Sequence, residues 1–225
     1  DLTTEGFGAG ANGPFLVVVE MPSAASVPAA NALSQQLAKT PGVATASPVI
    51  PGTPAVTPDG TTAIIQVQPT TGPQDQATSD LLENLRTNVI PAATAGTGLT
   101  AYVGGSTAVV DDFSQVLSDA LPLFLAVVVG LGFLVLVLLF RSLVIPLTAA
   151  VTALLSFGAA LGITVFVFQW GYLTDIFGVT GTGPILPFLP IMLFSILFGL
   201  SMDYQVFLVS RMQEEWTRTK DNRAS

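Results

Sequence analysis

Three apolar runs in the second half of the chain constrain its fold more than any other feature. The first, Leu121 to Phe140, carries no charge between Asp119 and Arg141. The second lies roughly between Pro146 and Phe168, the third roughly between Pro187 and Val209. A helix needs about 20 apolar residues to cross the hydrocarbon of a bilayer. One such run could be a buried core helix; three in succession read as membrane spans.

The remainder is different in kind. Residues 1 to about 118 read as soluble and about 119 to 210 as membrane, which fits one small domain plus a short helical bundle. The chain has no Cys and no His. That excludes disulfides, thiolate metal sites, iron–sulfur clusters and any Cys- or His-dependent triad within it. The net charge is −8, and Lys39 and Arg86 are the only cations of the soluble half. Such a surface repels nucleic acid. No start Met or signal peptide precedes Asp1, and Asp221 to Ser225 is a polar tail. Both ends are therefore expected to be cuts in a longer protein.

Orientation follows from the cations. Arg141 sits in the short loop after the first run, and Arg211, Arg218, Lys220 and Arg223 follow the third. Positive charge marks the cytoplasmic side. The acidic N-terminal domain and the loop from Gln169 to Leu186 are then expected outside. Trp170, Tyr172 and Trp216 fall where interfacial aromatics occur, though ordinary packing would place them there equally well. Gly158 and Gly162 form a small-xxx-small pair that lets helices approach closely.

Asp203 sits in the third run, followed at once by Tyr204. Pro184 to Met202 before it is uncharged. An ionisable group in hydrocarbon is costly and marks a proton or ion pathway by default. The alternative is a polar pair that glues two helices. Ser195, Gly199 and Asp203 recur at four-residue steps and share one helix face. Small and polar residues there suit a bundle interior, with the carboxyl against another helix.

In the soluble half, Phe15 to Glu20 is a β-branched run. Pro28 to Lys39 reads as a helix with Leu33 and Leu37 on one face and Gly42 past its end. Val43 to Val49 reads as a strand, Pro51 to Gly60 as a loop, and Thr61 to Gln68 as a strand. Ala77 to Val89 reads as a helix and Leu99 to Val103 as a last strand. The order β-α-β-β-α-β is that of a split βαβ, ferredoxin-like layer, an α+β arrangement with helices on one face of a sheet. Gly104 and Gly105 read as a turn, with Ser106 or Thr107 capping the next helix. They also suit a hinge between domain and membrane. Asp111 and Asp112 read as a solvated first turn favoured by the helix dipole.

Together these residues resemble the MMPL branch of the resistance-nodulation-division (RND) transporters. The specific string is Phe198-Gly199-Leu200-Ser201-Met202-Asp203-Tyr204-Gln205-Val206-Phe207-Leu208-Val209-Ser210-Arg211. Gly13 to Val19, Gly104 to Ala108, Phe168 to Gly171 and Thr182 to Ile185 are similar to the same family. The resemblance implies a fragment of two fused repeats, with features closer to the second. It implies an extracytoplasmic ferredoxin-like porter subdomain at 1–105 and the start of a connecting helix at 106–118. Membrane helices follow at 119–141, 145–169 and 187–210, an extracytoplasmic loop at 170–186 and a cytoplasmic segment at 211–225. Asp203 and Tyr204 would pair with a like Asp-Tyr on a helix of the missing repeat, as a proton relay, with Ser195 and Gly199 packing the relay helix.

The implied function is proton-driven export of lipids or other hydrophobic compounds across a bacterial inner membrane. The alternatives are a non-transporting receptor or scaffold of RND-like fold, and an RND-type accessory of protein translocation. An enzyme is not expected: no partner carboxylate, His or metal ligand shares the helix of Asp203. No cofactor or metal is expected. No glycine-rich phosphate loop ending in Lys and Ser or Thr occurs, so nothing points to ATP. The expected partners are a hydrophobic substrate, membrane lipids, the missing repeat and, possible for RND relatives, a second copy of the chain.

Overall fold

The computed structural model describes residues 2–178 and 182–220. The chain forms two compact units, Asp1–Phe113 and Ser114–Ser225.

The first unit opens with a short helix α1 (Leu2–Phe7) and a 3-10 turn, Ala9–Asn12. Then come β1 (Phe15–Glu20), α2 (Val27–Ala38), β2 (Val43–Ala46), β3 (Thr62–Pro69), α3 (Gln76–Asn84), α4 (Ile90–Thr94) and β4 (Thr100–Gly104). The strands make one antiparallel sheet in the order β2-β3-β1-β4. Val17 pairs with Ile65 on one side and with Val103 on the other. Side chains alternate across a strand. Phe15, Val17 and Val19 therefore point into the core with Ala63, Ile65 and Val67, while Leu16, Ile64 and Tyr102 face out. Leu33 and Leu37 from α2 and Leu81 and Leu82 from α3 close the core. Each fully buried Leu, Ile or Phe contributes about 1.5–3 kcal/mol.

Two boundaries differ from the sequence expectation. Strand β2 ends at Ala46 rather than Val49. Pro48 has no N–H to give a ladder, and side chains of α2 take over the backbone groups beyond it. Asn31 donates to the Val49 carbonyl at 2.7 Å and accepts from its N–H at 2.8 Å. The Ser34 hydroxyl donates to the Ser47 carbonyl at 2.8 Å. The second helix does not stop at Val89. It passes through a wide π turn, Leu85–Val89, into α4. Ile90 N–H bonds to the Leu85 carbonyl, five residues back. The wide turn sits directly before Pro91, whose ring and missing N–H disrupt regular α bonding.

Helix α5 (Ser106–Phe140) begins in this unit. Gly105 adopts φ +105°, the left-handed region, and a Cβ added there would stand 3.0 Å from the Pro14 carbonyl oxygen and 3.2 Å from the Leu16 nitrogen. The Thr107 hydroxyl is buried and donates to the Gly13 carbonyl at 3.0 Å. Asp111 and Asp112 are not simply solvated. The Ser79 hydroxyl donates to Asp111. Arg86 forms a fork on Asp112, at 2.5 and 2.9 Å, and also donates to the Val103 carbonyl at 2.9 Å. That fork holds the Asp112 carboxyl below the usual carboxylate range and keeps the Arg86 guanidinium more basic.

The second unit carries the rest of α5, then α6 (Val144–Thr164) with a terminal π turn Val165–Gln169, α7 (Thr174–Phe177) and α8 (Leu189–Thr219). The three stretches long and apolar enough to cross a membrane have 35, 26 and 31 residues. At about 1.5 Å per residue they span about 52, 39 and 46 Å, against a hydrocarbon thickness of about 30 Å. Their outer surfaces are apolar: Leu123, Leu138, Leu155, Ile196 and Leu200 are all largely exposed. Helices hydrophobic all round belong in lipid or a large core.

Helix α8 continues past Arg211 as far as Thr219. Pro122 lies inside α5, where it removes one backbone donor. At the end of α6, Tyr172 stacks on Phe166 at 4.5 Å and Trp170 meets its edge at 6.4 Å. Among the expected orientation markers, Arg223 lies outside the described residues, as do residues 179–181 of the 170–186 loop.

Candidate functional site

Helix α8 has two faces of different character. On one, Phe194 and Phe198 are buried against α5 and α6. Phe194 is the centre of an aromatic cluster. It meets Phe124 of α5 edge-on at 6.0 Å, Phe157 of α6 edge-on at 5.3 Å, and stacks on Phe198 at 5.2 Å. Such pairs add about 0.5–1.5 kcal/mol beyond area burial. Below it, Met202, Val206 and Val209 pack against Leu136 and Phe140 of α5 and Ala149 of α6. The stripe 194, 198, 202, 206, 209 is an i, i+3/i+4 ridge.

Gly132 lets this ridge approach α5. A Cβ at that position would stand 2.8 Å from both the Phe198 ring and the Met202 methyl. Nothing in the sequence reading singled out Gly132 or Phe194, or gave Phe198 a packing role. The available signal was a glycine in an otherwise bulky apolar helix, which marks a close approach. The Gly158 and Gly162 pair, which did attract notice, has no such role in this chain: an added Cβ at either meets nothing within 4 Å.

The flank of α8 beside this ridge carries the residues picked out from sequence. Ser195, Gly199 and Asp203 are all exposed and lie one above another. Tyr204 beside Asp203 is 64% exposed. The Ser195 hydroxyl donates to the Ile191 carbonyl at 2.7 Å, one turn back in its own helix. A Cβ at Gly199 would meet nothing within 4 Å. Among the described residues no side chain of α5 or α6 bonds to Asp203 or Tyr204. Ser195, Gly199 and Asp203 therefore share one strip of the helix, Tyr204 lies about 100° further round, and both Asp203 and Tyr204 are exposed, away from the aromatic core. Packing of the ridge fixes which way they point: Met202, one residue before Asp203, is clamped against Gly132. Among the described residues, no three metal-ligating side chains come together.

In chemical terms, the site is one carboxyl on an open stripe of a membrane-length helix, with a phenol on the next residue. A carboxyl can bind and release a proton, and a phenol can donate a hydrogen bond to its ionised form. The surrounding stripe is small enough, at Ser195 and Gly199, for another helix to lie close.

The model of the MMPL family matches residues 14–225. "Membrane protein YdfJ" of Bacillus subtilis is 43% identical over 221 residues, covering 98% of this chain and 29% of that protein. "Mycolic acid-containing lipids exporter MmpL11" of Mycolicibacterium smegmatis is 32% identical, covering 97% of this chain and 23% of its own length. "Heme uptake protein MmpL11" of Mycobacterium tuberculosis is 31% identical, with 97% and 22% covered. The chain thus spans under a third of the length of these relatives. With its family model matched from β1 to the end and its Asp-Tyr helix in place, this chain belongs to the MMPL family of RND-type membrane transport proteins.

Proposed function

We propose that the chain is part of a proton-motive-force-driven exporter of lipids or other hydrophobic compounds in a bacterial inner membrane. The observation that carries this reading is Asp203. It is the single ionisable side chain between Leu189 and Tyr204 on a membrane-length helix, and it stands on the face that this chain leaves uncovered. A second helix bearing a like carboxyl, supplied by the rest of a longer polypeptide, would complete a relay there.

Asp203 takes a proton from the outer side, becomes neutral, and later loses it to the cytoplasmic side. Tyr204 donates a hydrogen bond to the carboxylate that faces it. Each proton moving down the potential yields about 2.3 kcal/mol per 100 mV. Neutralising Asp203 lowers the cost of apolar surroundings and so changes which helix packing is favoured. Ser195 and Gly199 give the partner helix room to shift.

The first unit is read as an extracytoplasmic, ferredoxin-like porter subdomain over residues 1–105. Its β-α-β-β-α-β order and the sheet order β2-β3-β1-β4 support that reading. The residues 106–118 lead into membrane helices at 119–141, 145–169 and 187–210. The 170–186 loop is placed outside and 211–225 in the cytoplasm, on the side of Arg141, Arg211, Arg218 and Lys220. The cargo is assigned by class: one relative is named for lipid export and another for heme uptake, and both cargoes are hydrophobic.

Export of a labelled lipid substrate from cells carrying the intact protein tests the proposal. Asp203→Asn keeps size and removes titration. The account predicts transport lost with membrane insertion unchanged. Normal transport by a correctly inserted Asp203→Asn protein overturns it.

A further inference from the structure

We propose that the end of the bundle bearing Arg141 and Lys220 is a binding site for one anionic phospholipid. Between α5, α6 and α8 lies a groove of about 280 Å³ lined by Phe140, Ile145, Val209, Met212, Gln213 and Trp216. It is close to the lower end of the roughly 300–1,000 Å³ usual for small-molecule sites, which suits a stretch of one acyl chain. Five of the six walls are apolar or aromatic, and Gln213 alone supplies an amide.

The charges around it are sorted. Arg211 pairs with Glu214 at 2.9 Å and Arg218 with Glu215 at 2.7 Å. Those two carboxylates are thereby neutralised, and so are the two arginines. Arg141 and Lys220 have no carboxylate partner among the described residues. Both adjoin the groove. Arg141 follows Phe140, and the Lys220 ammonium rests 4.1 Å from the centre of the Trp216 ring. Trp216 is itself a wall.

Fold stability alone does not explain cations at these two places. Each ends a helix with left-handed backbone, φ 51° at Arg141 and 56° at Lys220. That conformation is costly for a non-glycine residue, and a cation's interaction with the helix dipole returns less than it costs. Two positive charges with no carboxylate partner among the described residues, beside an apolar groove at the end of membrane-length helices, match a phosphate head group with its chain in the groove. Basic pockets between membrane helices recognise anionic lipids in this way.

The inference rests on the helices crossing a bilayer, and not on transport or on Asp203, so the two readings fail separately. The test uses the protein extracted intact and placed in phosphatidylcholine nanodiscs, which expose both leaflets. Trp216 emission is isolated by subtracting a Trp216→Phe protein. Phosphatidylglycerol or phosphatidylcholine with brominated chains is then added. Phosphatidylglycerol is expected to half-quench Trp216 at about thirtyfold lower mole fraction, from about 1 kcal/mol for each of the two basic residues. The Arg141→Gln/Lys220→Gln double variant brings the two lipids within about twofold by the same reckoning. Loss of the paired cations, Arg211→Gln/Arg218→Gln, leaves the preference in place. Equal quenching by both lipids in the unmodified protein overturns the site without any variant. So does a preference that survives loss of Arg141 and Lys220.

Discussion

Gly132 of α5 lies against Phe198 of α8 so closely that a methyl group on it would stand 2.8 Å from the ring. This contact sets the rotation of α8 and with it the direction of Asp203. A large side chain at Gly132 must push the ridge away. Overpacking of this kind costs about 1–3 kcal/mol. Gly132→Leu is therefore expected to lower the melting temperature of the protein in detergent. Gly132→Ala is expected to be mild, since the atoms it meets are the ends of flexible side chains. Gly158→Ala serves as the control and should not destabilise, because its surroundings in this chain are open.

The buried Thr107 hydroxyl gives the α/β unit a second test. Thr107→Val keeps the shape and leaves the Gly13 carbonyl without its donor. A buried polar group left unsatisfied costs about 1–3 kcal/mol. Amide hydrogen exchange should accelerate across β1 and the start of α5, while Thr107→Ser should hold protection near the original level.

The Arg86 fork on Asp112 predicts an acid dependence. The Asp112 pKa is lower in the folded protein than in the unfolded chain, because Arg86 donates to it. Its stabilisation is therefore fully present above the unfolded value of about 3.9. It is lost as the pH falls through the lower folded value. Both side chains are partly exposed, 34% and 47%, so the contribution should be no more than about 1 kcal/mol. Denaturant titrations of the native protein and of Asp112→Asn should differ at neutral pH and converge as the pH falls below the reference carboxylate value of about 3.9 and through the lower folded value. A difference that persists unchanged into acid would remove Asp112 as the titrating group.

Much of this was legible in the sequence, for physical reasons that can be named. The apolar runs are long enough to cross a bilayer, and a helix covers each of them, though α5 starts earlier and α8 ends later than the expected spans. The alternation of Phe15, Val17 and Val19 fixes one buried face of β1. Elements ended by tertiary contacts were harder to read. Asn31 and Ser34 capture the backbone after Ala46, and that pairing depends on residues far apart in sequence. The turn before Pro91 widens instead of breaking because α4 still packs Ile90 into the core. Asp111 and Asp112 looked solvated because Ser79 and Arg86, their partners, are distant along the chain.

The candidate site divides in the same way. Asp203 and Tyr204 stand out from sequence because a carboxyl in an apolar helix is rare. Their positioning by Gly132, Phe194 and Phe198 did not stand out, since glycine and phenylalanine are ordinary in a membrane helix. Only the packing shows which of the glycines in α5, α6 and α8 is pressed against a neighbour.

The central claim is that Asp203 carries a proton. The most direct measurement is proton flux in proteoliposomes holding the intact protein, a pH-sensitive dye inside and an imposed pH gradient. With substrate present, the account predicts dissipation of the gradient by the native protein and none above background by Asp203→Asn reconstituted at the same density. Equal flux through the two proteins would contradict it.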